Sequence, residues 1–287
     1  MGVMPIRRLL LTMSGPMMVS MLIQALYNVV DSMFVSYISE GALTAVSLAY
    51  PMQNLMIAVA TGTGVGVNAL LSRNLGEKNF EMANRAAGNA IFLGVVSFAV
   101  FALVGAVGSR LYFTVQVDDP EIIAYGVDYL SVIMVLSVGC FGQVLLSRLL
   151  QSTGKTFYSM VIQLVGAGLN IVLDPIMIFG LLGCPAMGVA GAALATVISQ
   201  VAGTILGLYY NLRKNPEIRF AWTYLRPSKP VIARIYGVGI PSILLQTVSS
   251  LLIFGLNQIL VVFSETATAV YGVYFKLQGL PSCPSSG

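Results

Sequence analysis

Two acidic side chains, Asp31 and Asp174, lie inside long apolar segments of a sequence with only 11 acidic residues in all. In helices, Tyr27 and Gln24 would share a face with Asp31. Asn170 would share one with Asp174, because residues three or four positions apart are neighbours on a helix surface. Charged groups inside membrane spans are costly and usually functional. Oxygen-bearing groups in this arrangement could bind protons or a hard cation such as Na⁺.

The spacing also predicts that the two acids share one depth. Asp31 lies seven residues, and Asp174 eight, before the outer end of its predicted segment, which places both about 11 to 12 Å below the outer boundary. Thr196, in a segment that returns from outside, is expected in the same layer, with Gln200 one turn deeper. Asn28 belongs to the face of Asp31. The alternative is that each aspartate only accepts a hydrogen bond and fixes helix packing.

The elements that must position these groups are membrane-spanning helices. The composition is 57% hydrophobic and 9% charged, with a mean hydropathy of +0.86, whereas soluble domains carry about 25% charged residues. A soluble enzyme, a disordered protein and a nucleic-acid binder are therefore not expected, and the predicted partner is the lipid bilayer.

Long uncharged stretches fit the roughly 20 residues that a helix needs to cross the hydrocarbon. We predict an all-α polytopic membrane bundle with seven spans and part of an eighth, which begins after Glu265. The seven predicted spans are Leu9–Ile38, Leu43–Leu71, Ala86–Phe113, Tyr125–Leu149, Thr156–Leu182, Met187–Tyr210 and Val231–Phe263.

The orientation follows from the basic residues. Thirteen of the 15 lysines and arginines lie at one set of alternate segment ends, Arg148 among them, and Arg110 lies on the other side. Because cytoplasmic loops carry an excess of basic residues, the N-terminus and the longest loop, 211–230, are predicted to be cytoplasmic.

The chain also contains a weak internal repeat. At an offset of 225 residues, Pro16 aligns with Pro241 and Gln53 with Gln278. We therefore predict a six-helix lobe at 1–210, a cytoplasmic linker at 211–230, the start of a second lobe at 231–280 and a polar tail at 281–287. The tail suggests a truncated or frameshifted product, and a missing second lobe would be the physical partner of the first.

Two residue types limit the enzymatic possibilities. The sequence has no histidine, which excludes His-based triads and HExxH zinc sites. Its three cysteines, Cys140, Cys184 and Cys283, are isolated and form no paired motif. An intramembrane enzyme of the aspartyl type, using Asp31 and Asp174, would remain, although we expect no enzyme and no cofactor.

Several motifs resemble the multidrug and toxic compound extrusion (MATE) transporters, and the resemblance extends to Gln278. They lie in the turn at Arg73–Lys78, in the loop between the fourth and fifth spans, and in the first, fifth and sixth spans. The motifs are Tyr27-Asn-Val-Val-Asp31, Arg73-Asn-Leu-Gly-Glu-Lys78, Leu150-Gln-Ser-Thr-Gly-Lys155, Gly168-Leu-Asn-Ile-Val-Leu-Asp-Pro-Ile-Met-Ile-Phe-Gly180 and Met187-Gly-Val-Ala-Gly-Ala-Ala-Leu-Ala-Thr-Val-Ile-Ser-Gln200.

The resemblance implies a prokaryotic inner-membrane antiporter of two six-helix lobes, which exports small-molecule drugs or organic cations in exchange for H⁺ or Na⁺. The implied coupling-site residues are Tyr27, Asp31, Asn170, Asp174 and Thr196, of which Asp31, Asn170 and Asp174 are possible Na⁺ ligands. The predicted cavity residues are Gln24, Asn28, Gln53, Asn54 and Gln200. Pro16, in the first span, is a predicted hinge.

Two alternatives to drug efflux stay open. A lipid-linked oligosaccharide flippase of the same superfamily would line its cavity with several basic residues, and we expect none inside the six complete spans. This chain could also be inactive alone, because alternating access needs a second lobe to move against the first.

Overall fold

The computed structural model describes residues 6–183, 185–218, 221–263 and 270–271. Over these ranges the main elements are eight α-helices, with short 3₁₀ turns at Leu181–Gly183 and Trp222–Tyr224. The helices are α1 Ile6–Ser36, α2 Glu40–Gly76, α3 Phe80–Thr114, α4 Pro120–Val135, α5 Val138–Ser152, α6 Thr156–Phe179, α7 Gly188–Lys214 and α8 Lys229–Phe263. The predicted eighth span and the tail at 281–287 lie outside the described residues, apart from 270–271.

Polar residues in the predicted turns set where helices begin. Ser39 accepts a hydrogen bond from the backbone N–H of Ala42 at 3.0 Å, and Asn79 accepts one from Met82 at 3.2 Å. Both are N-cap contacts, which satisfy backbone donors that the first turn of a helix leaves unpaired. The left-handed Gly180, with φ of 73°, ends α6.

The fourth predicted span is divided between two helices. The segment Tyr125–Leu149 falls across two helices, α4 and α5, which meet at a bend of 47°. The cause is tertiary: a Cβ at Gly139 would lie 2.9 Å from the backbone nitrogen of Val201 on α7. The Thr204 hydroxyl also donates to the Gly139 carbonyl at 2.9 Å. Close packing on α7 therefore sets the direction of α5.

The helices form a membrane bundle. Six are long and apolar enough to cross a bilayer, and the bent pair α4–α5 makes a seventh candidate span. Side chains on the outward face of α3 are 68 to 75% exposed although they are apolar, as Leu103, Val107 and Leu111 show. Such a face requires lipid, and the protein is a multi-pass membrane protein.

The packing order determines which helices can build a site. Helix α1 lies along α6, α6 packs on α7, and α7 packs on α4 and α5. Helix α2 contacts α3, α4, α5 and α8, and touches α1 much less. The first, fifth and sixth predicted spans therefore meet, as α1, α6 and α7.

The linker between α7 and α8 is held against the bundle. The buried Asn89 side chain accepts a hydrogen bond from the backbone N–H of Ser228 at 2.9 Å. Lys155 donates to the side chain of Asn215 at 3.0 Å, which ties the linker to the start of α6. Helix α7 extends to Lys214, so the loop is shorter than the predicted 211–230.

Candidate functional site

The centre of the candidate site is a buried polar chain on α6 and α7. Asn170 and Asp174 lie one helical turn apart, and the Asn170 Nδ2 atom donates to Asp174 Oδ1 at 3.1 Å. The same nitrogen contacts the hydroxyl of Thr196 at 3.4 Å. The exposed fractions are 2% for Asn170, 0% for Asp174 and 5% for Thr196. The structure thus joins the two spans that the sequence analysis linked.

A close approach of α6 and α7 makes this contact possible. A Cβ atom on Gly191 of α7 would overlap the carbonyl of Met177, and the Met187 N–H donates to that carbonyl at 3.1 Å. Small residues at such crossings let helix backbones approach closely in membranes. Pro175 leaves the backbone carbonyl four residues earlier, at Ile171, without its helical donor beside the acid.

Two oxygens at this centre keep acceptor capacity. Asp174 Oδ2 and Asn170 Oδ1 are buried and accept no hydrogen bond from the described residues. Buried polar atoms normally have partners, so each such atom needs an explanation. Carboxylate and amide oxygens suit a proton or a hard cation, and these two atoms could hold one.

Asp31 and Tyr27 bring α1 to the same site. Asp31 is 6% exposed, and it lies near enough to Asp174 and Tyr27 to interact with both electrostatically. Asp31 and Asp174 are each five residues, about 7.5 Å, from the ends of α1 and α6. The two acids are thus equally far from the ends of their helices, and this distance is smaller than predicted because both helices end earlier. Their common depth in a membrane stays a prediction.

A cavity of about 150 Å³ opens beside this cluster, between α1, α2, α5, α6 and α7. Five predicted site residues line it: Gln24, Tyr27, Asn170, Thr196 and Gln200. Asp31 and Asp174 are not among the residues that line it. The cavity therefore touches the hydrogen-bonded chain at Asn170 and Thr196.

Three predicted cavity residues are not among those that line it. Asn28 lies next to Tyr27 on α1, but a step of one residue turns the side chain by about 100° around the helix. Gln53 is hydrogen-bonded to Tyr129 of α4, and α2 meets α4 and α5 more than α1. Asn54 follows Gln53 on that helix. These three residues do not line the cavity that the structure shows, and their assignment to a substrate cavity stays a prediction.

Pro16 lies inside α1, which runs through it as one helix. The carbonyl of Pro16 accepts a hydrogen bond from the Ser20 hydroxyl at 2.8 Å, and Ser20 lines the cavity. The predicted hinge is thus next to the cavity wall, and its bending stays a prediction.

The other end of the cavity was not predicted from the sequence. Arg148 was expected at the cytoplasmic end of a span, outside the bundle interior, but it lines the cavity from α5. The premise that no basic residue lies inside the six complete spans is therefore wrong. The sequence does contain a signal for the position of Arg148: apolar Leu149 and Leu150 follow it directly and extend the span beyond it. Other lining residues with polar side chains that were not predicted are Ser20, Thr61, Gln143, Ser147, Gln151, Gln163 and Ser199.

Comparison with known families gives one model match. The MatE family model matches residues 16–176, which is more than half of the chain. This range contains α2 to α5, most of α1 and α6, and all of the predicted coupling residues except Thr196.

Two curated relatives are multidrug export proteins. The multidrug export protein MepA of Staphylococcus haemolyticus is 28% identical over 269 residues, with 93% of this chain and 59% of that protein covered. MepA of Staphylococcus aureus strain MRSA252 is 27% identical over 278 residues, with coverages of 96% and 61%. The chain thus spans about three fifths of the length of these relatives.

Solved structures show the same fold. The MATE multidrug transporter DinF-BH, solved in complex with rhodamine 6G, superimposes with a TM-score of 0.92 at 31% identity. The superposition covers 99% of this chain and 63% of that one. An inward-facing multidrug resistance MATE transporter gives a TM-score of 0.85 at 28% identity, with coverages of 96% and 62%.

Proposed function

The chain belongs to the MatE family of multidrug efflux transporters, and we propose on that premise that it acts as a secondary active antiporter. It exports organic cations or other small-molecule drugs in exchange for H⁺ or Na⁺. The observation that carries this proposal is the buried chain from Asp174 through Asn170 to Thr196 at the edge of a cavity. It supports the proposal because buried carboxylate and amide oxygens, the kind that bind a proton or a hard cation, lie beside a cavity.

The coupling step uses the two acids. A proton or Na⁺ bound at Asp174 reduces its charge and so weakens its electrostatic interaction with Asp31 on α1. For Na⁺, the oxygen ligands are supplied by Asp31, Asn170 and Asp174. Because α1 carries Tyr27 and Gln24 into the cavity wall, a shift of α1 against α6 changes the space available to cargo. Pro16 is the position on α1 where bending requires the fewest broken hydrogen bonds.

We assign residues 1–210 to one lobe and α8 to the start of a second. The bounds of α1, shifted by 225 residues, coincide with those of α8 to within two residues at each end, and each helix contains a proline, Pro16 or Pro241. Helix α8 packs along α2, with the Thr61 hydroxyl donating to Gln246 at 2.9 Å. The basic residues support an inner-membrane protein with a cytoplasmic N-terminus.

Transport in everted membrane vesicles tests the proposal. Vesicles that contain the protein, as its gene encodes it, are given rhodamine 6G, and Na⁺ and pH gradients are imposed separately. We expect one of these gradients to drive uptake. Asp174→Asn and Asp31→Asn should each abolish the gradient-driven part, because an amide cannot release a proton and is a weaker Na⁺ ligand.

The matched control is Asp128→Asn, which changes an exposed aspartate on α4. It should transport as the wild type does. Gradient-driven uptake that survives Asp174→Asn unchanged would refute the proposed coupling site. Wild-type uptake that neither gradient changes would refute antiport.

A further inference from the structure

Arg148 gives the cavity a cationic end. Among the described residues that line the cavity it is the one with a formal charge. It lies four residues, about 6 Å, before the end of α5, within the bent pair α4–α5 that is long enough to span the membrane. An ionisable residue in a span that faces a cavity marks a site by default.

The guanidinium is held in place, and the described residues leave most of its hydrogen-bonding capacity unused. Its Nη1 atom donates to Gln151 Oε1 at 3.0 Å, and Gln151 is oriented by donating to the Ser159 hydroxyl at 2.9 Å. An arginine has five N–H donors. The ion pairs that join described residues are Arg73–Glu77 and Arg85–Glu81, so no described carboxylate lies within 4 Å of Arg148.

The opposite helix leaves room for this side chain. A Cβ at the buried Gly64 on α2 would lie 2.7 Å from Arg148 Cγ. Any larger residue at position 64 would therefore displace the arginine stem. The glycine lets α2 and Arg148 together form this end of the cavity wall.

The acidic cluster is at the other end. Cys140 on α5 lies beside Tyr27 and lines the cavity, and Arg148 follows it by eight residues, which is about 12 Å along the helix. The cavity thus runs from the surroundings of Asp31 and Asp174 to a guanidinium. A ligand that carries both charges would match both ends.

We propose that Arg148 binds the anionic group, a carboxylate above all, of amphoteric cargo whose cationic part faces the acidic cluster. This inference rests on the proposed export function and names a substrate class for it. The planar guanidinium can present two parallel N–H groups to a carboxylate, a pairing that a neutral side chain cannot replace. Gln151 fixes the guanidinium plane and acts as a positioning residue.

Two dyes that differ only at the carboxyl group test this. Rhodamine 6G is a cationic ethyl ester, and rhodamine 19 is its free acid, which carries a carboxylate beside the same cation. Binding to the purified protein is followed by fluorescence polarisation. In Arg148→Gln we expect the affinity for rhodamine 19 to fall about tenfold more than that for rhodamine 6G, as for a lost charge-assisted hydrogen bond. Arg148→Lys should give a smaller loss.

Controls separate the possible outcomes. Arg73→Gln removes an exposed arginine and should leave both affinities unchanged. Gly64→Ala keeps the charge but displaces the side chain, and it should selectively weaken rhodamine 19 even if Arg148→Gln does not fold. An equal loss for both dyes, or no loss for rhodamine 19, would overturn the inference and leave the proposed function standing. A wild-type protein that binds neither dye would refute both.

Discussion

The side-chain amide of Asn170 donates a hydrogen bond to the carboxylate of Asp174 across 3.1 Å, from one turn earlier on the same helix. A second helix enters through the longer contact to Thr196, at 3.4 Å. We expect the contact to Asp174 to be the stronger of the two, because hydrogen bonds to a charged group are about twice as strong as neutral ones.

We therefore predict unequal effects for two substitutions. Asn170→Leu removes both contacts at similar volume, and gradient-driven dye export should fall about tenfold or more, the effect of losing a hydrogen bond worth about 1.5 to 3 kcal/mol. Thr196→Val removes only the longer contact and should cost about two- to threefold. Initial rates in vesicles give both values. A Thr196→Val variant as impaired as Asn170→Leu would contradict this ranking.

The crossing of α6 and α7 gives a stability prediction. Gly191→Ala places a methyl group against the Met177 carbonyl, and overpacking of this kind costs about 1 to 3 kcal/mol. We expect a lower midpoint of thermal unfolding in detergent and weaker dye export. Gly168→Ala, on α6 with nothing within 4 Å of the new methyl group, is the control and should keep the wild-type midpoint.

How far the sequence predicts this molecule depends on the kind of feature. Apolar runs longer than 20 residues identified the spans, and the acidic residues inside them identified Asp31 and Asp174 as site candidates. Both signals are local in the sequence, and a departure from either would cost much free energy. The break between α4 and α5 was missed, since no proline marks it and its cause is the contact of Gly139 with α7. The orientation of Asn28 and Gln53 also depends on which helices are neighbours.

Arg148 shows the same limit at a single residue. A basic residue near a predicted span end was assigned to the cytoplasmic surface, where most such residues lie. Its actual position depends on the bend before α5 and on the space above Gly64, and both are properties of the packed bundle.

The packing that bends α5 can be tested by compensation. A methyl group at Gly142 would overlap Thr204 Cγ2, so Gly142→Ala should destabilise the fold by about 1 to 3 kcal/mol. Thr204→Ser removes that methyl while keeping the hydroxyl that donates to Gly139. Because the retained hydroxyl would still lie 2.8 Å from the new methyl group, the double variant should recover only part of the lost thermal midpoint. Strictly additive losses in the double-mutant cycle would show that the two residues do not contact each other.

The contact between α2 and α8 yields a cross-linking prediction. With the native cysteines replaced by serine, Thr61→Cys and Gln246→Cys should be joined by a short bifunctional thiol reagent, because the native side chains are hydrogen-bonded at 2.9 Å. Adding Gly66→Ala should reduce the yield, since the new methyl group would overlap the Ile235 carbonyl and separate the helices. Gly76→Ala meets nothing within 4 Å and is the control on α2. An undiminished yield with Gly66→Ala would mean that α8 tolerates displacement without losing this contact.

The buried Asn89 amide is predicted to hold the end of the linker that leads into α8. Asn89→Leu leaves the Ser228 N–H without its acceptor, and an unsatisfied donor of this kind costs about 1 to 3 kcal/mol. Because the linker carries Trp222 and Tyr224, limited chymotrypsin digestion in detergent should cleave it several times faster in the variant. Asn79→Ala removes the exposed N-cap of α3 and should leave that cleavage rate unchanged. Of these two residues, only Asn89 contacts the linker through its side chain. Equal acceleration in both variants would therefore indicate general loosening of α3.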